Sequence, residues 1–309
     1  MLKLEVGGRI GGYRLVEYLG RGGFSHVYLA ESIETQEKVA LKMGDVAGGG
    51  RYVTRFLEVT GRRSPDGISP DETPAEAIFL EDQGARIDFL DLSEIDRLLE
   101  DEANVLRGIS SPHVVGFRDL VRHEDRPVLV MDYVQGKTLR EKIRALEGIR
   151  LNWFLSIVKT LERLAEKGTL EAHGDLKPEN ILVKPSGSVI LIDPARRNRN
   201  LGLISTTPHY NPLLLTDSKA DVMAIGIMLY EILTGALPFE EVPWKYAGRP
   251  TGGEVVRLSL GYFLSYTPPK EINPNTPDML QDIIYRCIVS TDYGLAGLRQ
   301  DLIEFLHRG

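Results

Sequence analysis

Apolar positions along the chain recur with two periods, and the change of period divides it. Tyr13-Arg14-Leu15-Val16-Glu17-Tyr18-Leu19 partly alternates, and Val27-Tyr28-Leu29-Ala30 and Lys38-Val39-Ala40-Leu41-Lys42 follow, with turn residues between them. This pattern predicts strands over 13–42. From Leu98 the spacing becomes helical, with Leu98, Leu99, Ala103, Val105 and Leu106 recurring before the turn at Ser110-Ser111-Pro112. Asn152 to Lys167 predicts an amphipathic helix with Trp153, Phe154, Ile157, Val158, Leu161, Leu164 and Ala165 on one face and Gly168 at its end. Thr276-Pro277-Asp278 predicts a helix start, with Thr at the N-cap and Pro at the first helical position. Met279, Leu280, Ile283, Ile284, Cys287 and Ile288 follow as its apolar face. A last helix is predicted over Leu298 to His307. No internal repeat, low-complexity tail or heptad run is present.

Composition narrows the class. At 309 residues, 42% apolar and 26% charged, the chain has room for two lobes that each bury a core. A formal charge of −7 argues against a large nucleic-acid-binding surface and leaves room only for a local basic patch. Val222 to Phe239 is the most apolar run, but Glu231 and Gly235 interrupt it, so it reads as a buried helix rather than a membrane span. The single cysteine, Cys287, forbids an internal disulfide and falls at a core position. Met1 to Glu5 lacks the apolar stretch of a signal peptide, so the expected location is cytoplasmic. None of the six histidines has metal-ligand spacing.

The chemistry concentrates in His173-Gly174-Asp175-Leu176-Lys177-Pro178-Glu179-Asn180-Ile181-Leu182-Val183, followed by an apolar run that ends in Asp193. An acid, a lysine two places on and an Asn three further suit a metal-bound phosphate. The acid can orient a hydroxyl and accept its proton, the lysine can neutralise a phosphate oxygen, and Asn180 with Asp193 can hold Mg²⁺. Upstream, Gly20-Arg21-Gly22-Gly23-Phe24-Ser25-His26-Val27 lies between two predicted strands, where glycines let the backbone approach a phosphate. One strand later Lys42 ends an apolar run, and a buried lysine needs an anionic partner.

In this order the motifs resemble those of eukaryotic-type protein kinases, and the glycine loop is similar to that of bacterial Ser/Thr members. The resemblance implies an α+β bilobal fold: a small antiparallel β lobe with one main helix over 1–133, and a larger, mostly helical lobe over 134–309. By this resemblance ATP and Mg²⁺ are the cofactors. Gly20, Gly22, Gly23 and Ser25 would cover the phosphates, and Lys42 paired with Glu102 would fix them. Val27, Ala40 and Leu182 would sandwich adenine, Met131 would stand at the back, and the backbone of Asp132 to Val134 would hydrogen-bond it. Asp175 would be the catalytic base, Lys177 would stabilise the transferred group, and Asn180 and Asp193 would hold the metal. Asp221 would bind the backbone of the catalytic turn. The expected partner is a protein substrate carrying Ser or Thr.

The chain also departs from the family pattern. Gly174 stands where Arg is usual, which removes the main partner of a phosphorylated activation segment (the non-RD pattern) and predicts activity without that phosphate. Asp193-Pro194-Ala195 replaces Asp-Phe-Gly, and Pro restricts any flip. Pro212-Leu213-Leu214 replaces Ala-Pro-Glu, and Asp292 to Leu298 lacks the partner Arg, so an apolar replacement through Leu213 or Leu214 is expected. The segments from Asp193 to Thr207 and from Pro212 to Asp221 are short. Residues 43–97 form a long insertion with turn chemistry at Gly48-Gly49-Gly50 and Ser64 to Pro74, and with strand-like alternation in Arg51–Thr60 and Ile78–Leu92. A structureless loop of this length is unusual, so an ordered acidic element is expected, either a decorative hairpin or a surface for a regulatory partner. Two other readings remain: a small-molecule phosphotransferase of the aminoglycoside or choline kinase type, suggested by His-Gly-Asp, and a nucleotide-binding pseudokinase or docking module.

Overall fold

The structure, a computed structural model, describes residues 4–22, 24–45, 52–56, 84–89, 91–194, 197–198, 203–204, 207, 209–213, 215–239, 255–257 and 266–308. Gly23, Ala195, Ser205, Thr206, Leu214 and the turns at 48–50 and 64–74 lie outside the described residues.

The N-terminal strands are β1 (Arg9–Ile10), β2 (Tyr13–Arg21), β3 (Ser25–Ser32) and β4 (Lys38–Gly44). They join β7 (Phe117–His123) and β8 (Arg126–Asp132) in a six-stranded antiparallel sheet of order β1-β2-β3-β4-β8-β7. β4 is central, and the two-residue strand period sends its side chains to opposite faces. Val39, Leu41 and Met43 pack with Ile10, Leu15, Tyr28, Val128 and Val130. Ala40 turns the other way, into the main core with Leu129, Met131 and helix α1 (Leu92–Gly108). Lys42, two residues on, shares that face.

α1 starts at Leu92, six residues before the predicted Leu98, so the last residues of the 43–97 stretch are its first turns. Asp91 explains the start. Its side chain accepts from the Glu94 amide at 2.8 Å while Glu94 returns a bond to the Asp91 amide at 3.1 Å, a capping box. That backbone N–H holds the Asp91 carboxyl below the usual carboxylate range. Within the insertion, β5 (Tyr52–Phe56) pairs antiparallel with β6 (Gly84–Phe89). These strands join β12 (Arg197–Asn198), β13 (Leu203–Ile204) and β14 (Val255–Arg257) in a sheet of order β12-β13-β5-β6-β14. The insertion therefore pairs with the segment that follows Asp193, with Leu203 opposite Arg55 and Ile204 opposite Thr54.

The second half is mostly helical. β9 (Lys137–Thr138), β10 (Ile181–Val183) and β11 (Val189–Leu191) form a small sheet over α3 (Leu151–Glu166), whose predicted apolar face is buried. A short α2 (Leu139–Arg144), absent from the sequence prediction, is set by a Thr138–Glu141 capping box. α4 (Ser218–Thr234) is buried continuously from Ala220 to Tyr230 and forms the axis of this half. α5 (Pro269–Ile272), α6 (Asp278–Val289) and α7 (Leu295–Arg308) complete it. Thr276 does not cap α6: its hydroxyl instead donates to the Asn273 carbonyl at 2.8 Å, and Pro277 takes the cap position. α7 begins three residues before the predicted Leu298. Among the described residues no helix is long and apolar enough to cross a membrane.

α4 and α6 meet at Gly226, where a Cβ would overlap that of Cys287. Cys287 is fully buried there, and burial pushes its thiol up to about 12. At pH 8 that leaves about one thiol in ten thousand as the reactive thiolate. Native protein treated with iodoacetamide at pH 8 will stay unmodified by mass spectrometry, whereas protein in denaturant will take one adduct. Alkylation of the native chain at the rate of a free thiol would contradict this packing.

Candidate functional site

A cavity of about 490 Å³ lies between the sheet and the helical half. Its lining includes Gly20, Gly22, Ser25, Val27, Ala40, Lys42, Glu102, Met131, Asp132, Val134, Lys177, Asn180, Leu182 and Asp193, residues drawn from sequence stretches far apart. Gly23 lies outside the described residues, and Asp175 stands next to the lining rather than in it. Tyr133, within the expected Asp132-to-Val134 stretch, lines it too, and Leu19, Arg21, Val115, Thr138, Glu141, Glu179 and Ile192 join the lining without a role expected from the sequence.

Lys42 is 3% exposed at the end of β4. Its ammonium donates to both carboxylate oxygens of Glu102 on α1, at 2.6 and 2.8 Å, and also to Asp193. A buried cation is tolerated only when paired and hydrogen-bonded, and here two carboxylates surround it. Glu100 and Asp101, the neighbouring acids on α1, are less buried than Glu102, which is the acid turned inward. In the glycine turn, the Gly22 amide donates to the Ser25 carbonyl at 2.7 Å, closing the hairpin tightly. The Ser25 hydroxyl oxygen is buried there without a hydrogen-bond partner among the described residues.

The 173–180 turn hangs on α4. Asp221 is 0% exposed and accepts the backbone N–H groups of His173 and Gly174, both at 2.7 Å. His173 Nε2 donates to the Ile192 carbonyl at 3.0 Å, so its ring braces the turn against the segment leading to Asp193. Gly174 has φ +77°, a left-handed conformation that glycine adopts without penalty. Lys177 bridges Asp175 at 2.6 Å and the Thr207 hydroxyl at 2.8 Å. Asn180 turns its amide NH₂ toward Asp175, donating to its backbone carbonyl at 2.9 Å and to its carboxylate at 3.3 Å. Its carbonyl oxygen can then serve as an acceptor or metal ligand. The other carboxylate oxygen of Asp175, Oδ1, is buried and accepts no hydrogen bond among the described residues. Asp193 has φ +59°, a conformation Asp tolerates better than most residues, and Pro194 beside it is buried.

A further network joins residues that no sequence motif connects. Arg140 on α2 donates to Glu179 at 2.7 Å, to Glu231 of α4 and to the Tyr210 hydroxyl, and Tyr210 in turn donates to Glu231 at 2.6 Å. These contacts raise the Arg140 pKa even against burial, and burial with the Glu231 bond raises that of Tyr210. The network ties the segment after Thr207 to α2, to the 173–180 turn and to α4 together. No local motif signals it, since its partners lie 39, 70 and 91 positions from Arg140. At Pro212-Leu213-Leu214, Leu213 packs against the main core, in line with an apolar replacement. Lys219, in the first turn of α4, donates to the carbonyls of Ser290 and Tyr293, which ties α4 to the loop before α7.

Comparison with known proteins accords with this geometry. The family profile described as "Protein kinase domain" matches residues 90–290. Serine/threonine-protein kinase PrkC of Bacillus subtilis is 27% identical over 302 residues, which cover 91% of this chain and 38% of that protein. A probable serine/threonine-protein kinase PknB of Lactococcus lactis is 26% identical over 291 residues, covering 89% and 38% respectively. The chain thus spans less than half the length of these relatives. Among solved structures, that described as PpkA-294 apo form superposes with a TM-score of 0.65 at 16% identity, covering 97% of this chain and 99% of that one. The PknI kinase domain of Mycobacterium tuberculosis gives a TM-score of 0.59 at 18% identity, with coverages of 97% and 99%. Those likenesses speak for the bilobal α+β fold, and the profile match over most of the helical half places the chain in a family: it belongs to the protein kinase domain family.

Proposed function

We propose that the chain transfers the γ-phosphoryl group of ATP to Ser and Thr hydroxyls of protein substrates, and that it does so without a phosphate on its own activation segment. The observation that carries the first part is the Lys42 ammonium, buried between Glu102 and Asp193 in the cavity that Lys177 and Asn180 also line. A cation so enclosed is set to receive phosphate oxygens at a fixed point, and phosphoryl transfer depends on positioning and charge neutralisation more than on covalent help. In this reading Asp175 orients the acceptor hydroxyl and takes its proton, and its unpartnered Oδ1 is the atom available for that bond. Lys177, now bonded to Asp175 and Thr207, would meet the transferred group. Val27, Ala40, Met131 and Leu182 line the cavity and would wall the adenine, with the backbone of Asp132 to Val134 along its edge.

Asn180 and Asp193 fit a magnesium ion, which needs only one or two protein oxygens because it keeps waters and substrate phosphates as its other ligands. Bound there, the ion would neutralise charge on the phosphates. No cluster of three or more metal-ligating acids, His or Cys occurs among the described residues, in keeping with such a sparse site.

Phosphate independence is supported by three features. Gly174 offers no cation to a phosphorylated residue. Arg140, Glu231 and Tyr210 already hold the end of the segment with fixed charges. The segment's β13 pairs with β5 of the insertion, so part of the ordering that phosphorylation would supply comes from backbone bonds.

Incubation with labelled ATP, Mg²⁺ and a generic protein substrate will put label on Ser or Thr, and Asp175→Asn will lower the rate by about 10²–10⁴-fold while changing ATP affinity little. Transfer only to small hydroxyl compounds, or nucleotide binding without transfer, would overturn the reading. Exhaustive phosphatase treatment will leave the initial rate within about twofold, whereas Arg140→Ala will lower it about tenfold, the cost of freeing a positioned segment. A phosphatase-treated enzyme that regains activity only after incubation with ATP would refute phosphate independence.

A further inference from the structure

A second cavity, of about 540 Å³, touches the first only at Gly136, which lines both. Its walls come from the turn before α2, α2 itself, the α2–α3 connection, the first turn of α3 and the β10–β11 turn. Four cations line it, Lys137, Lys142, Arg150 and Lys184, against a single carboxylate, Glu147. In a chain with a net charge of −7, this is a local reversal of sign.

The five charges sort into two groups. Glu147 accepts from Lys137, and from Lys142 at 2.6 Å, and those bonds hold its carboxyl down to about 2. Lys142 also stands 5.6 Å over the Trp153 ring, which fixes the ammonium against the wall. Arg150 and Lys184 make no ion pair among the described residues. The Arg150 guanidinium lies beside Gly187, 4.0 Å from where a Cβ would stand, so the fork sits against the β10–β11 turn. Two uncommitted cations, backed by a triad of two lysines around one carboxylate, match a dianion better than a carboxylate. An arginine fork and a lysine lining one hollow suit a phosphoryl group, which takes the fork bidentately and the ammonium as a point charge.

The volume falls in the range that takes multi-atom ligands rather than a lone ion. Beside it, Leu146, next to Glu147 in sequence, is 92% exposed and held at φ +51°, a backbone conformation that leucine rarely adopts. The turn thus presents a bare apolar side chain next to a cationic hollow.

We propose that this cavity binds a phosphorylated side chain on a peptide segment, with Arg150 and Lys184 receiving the phosphoryl group and Leu146 covering a neighbouring apolar residue. The peptide would then be held on the side of the Gly136 strand connection away from the Lys42 cavity, free of the acceptor position. The proposal does not require the transferase reading, because the two cavities can be loaded separately.

The test is calorimetric titration with a short leucine-flanked phosphoserine peptide, its unphosphorylated twin and inorganic phosphate, each with the Lys42 cavity saturated by a non-hydrolysable ATP analogue. The phosphopeptide is expected to bind at least tenfold more tightly than either control. The double variant Arg150→Glu, Lys184→Glu should lose that binding by at least tenfold while keeping analogue affinity within twofold, and the milder Arg150→Gln should show a smaller loss in the same direction. Leu146→Ser should weaken the phosphopeptide and leave inorganic phosphate unchanged. Equal binding of the unphosphorylated peptide, undiminished binding to the double variant, or inorganic phosphate matching the phosphopeptide would each overturn the proposal. So would preference for phosphoinositide-containing vesicles over the peptide.

Discussion

Lys42 carries a full positive charge into a place that is 3% exposed to water, and the surrounding architecture answers that demand. Its two carboxylate partners come from segments 60 and 151 positions away, so the central strand, the long helix and the end of the β11 segment must all arrive before the charge is satisfied. Removing one partner of a buried pair leaves an uncompensated charge, at a cost of about 3–5 kcal/mol. The pairing therefore acts as a condition on the fold as well as a feature of the cavity: sheet and helix cannot shift far without stranding the lysine. An anion brought to that ammonium would meet a charge already desolvated and held in place.

A second constraint organises the helical half. Asp221 is the only acid among the residues from Ala220 to Tyr230, a stretch otherwise sealed in apolar core, and it spends its charge on two backbone N–H groups of the 173–180 turn. Charge-assisted bonds of this kind contribute about 1.5–3 kcal/mol each when buried. The turn is thus carried by α4, and the same helix reaches the segment beyond Thr207 through Glu231, Tyr210 and Arg140. The segment beyond Thr207 and the 173–180 turn share one support.

Much of this was legible in the sequence, for identifiable reasons. The strands, the faces of α3 and α6 and the burial of Cys287 follow from periodicity, which is local. Lys42 with Glu102, and Asp221 with its turn, were reached by resemblance, because their spacing in the chain carries no physical signal of contact. The early start of α1 was written in Asp91-Leu92-Ser93-Glu94, a capping box overshadowed by the stronger apolar repeat that begins at Leu98. Thr276 misled for a simple reason: a hydroxyl three residues after Asn273 can bond backward to that carbonyl as readily as forward to a helix amide, and nothing local decides between them. Arg140 was invisible because an arginine in a short polar helix looks solvated until its tertiary partners are known. The pairing of β5 with β13 was equally out of reach, since two short strands far apart in the chain do not announce each other.

The contact of Gly226 with Cys287 has a mechanical corollary. Two helices meshed where even a methyl group does not fit cannot slide or roll past each other, so α4 and α6 form a chassis with almost no compliance. Whatever give the molecule has must then come from the polar couplings hung on that chassis, the 173–180 turn, the segment after Asp193 and the glycine hairpin. Stiffness is concentrated in carbon-to-carbon packing and softness in hydrogen bonds that can be exchanged with a ligand. A substitution that loosened the seam would move the softness to the wrong part of the machine.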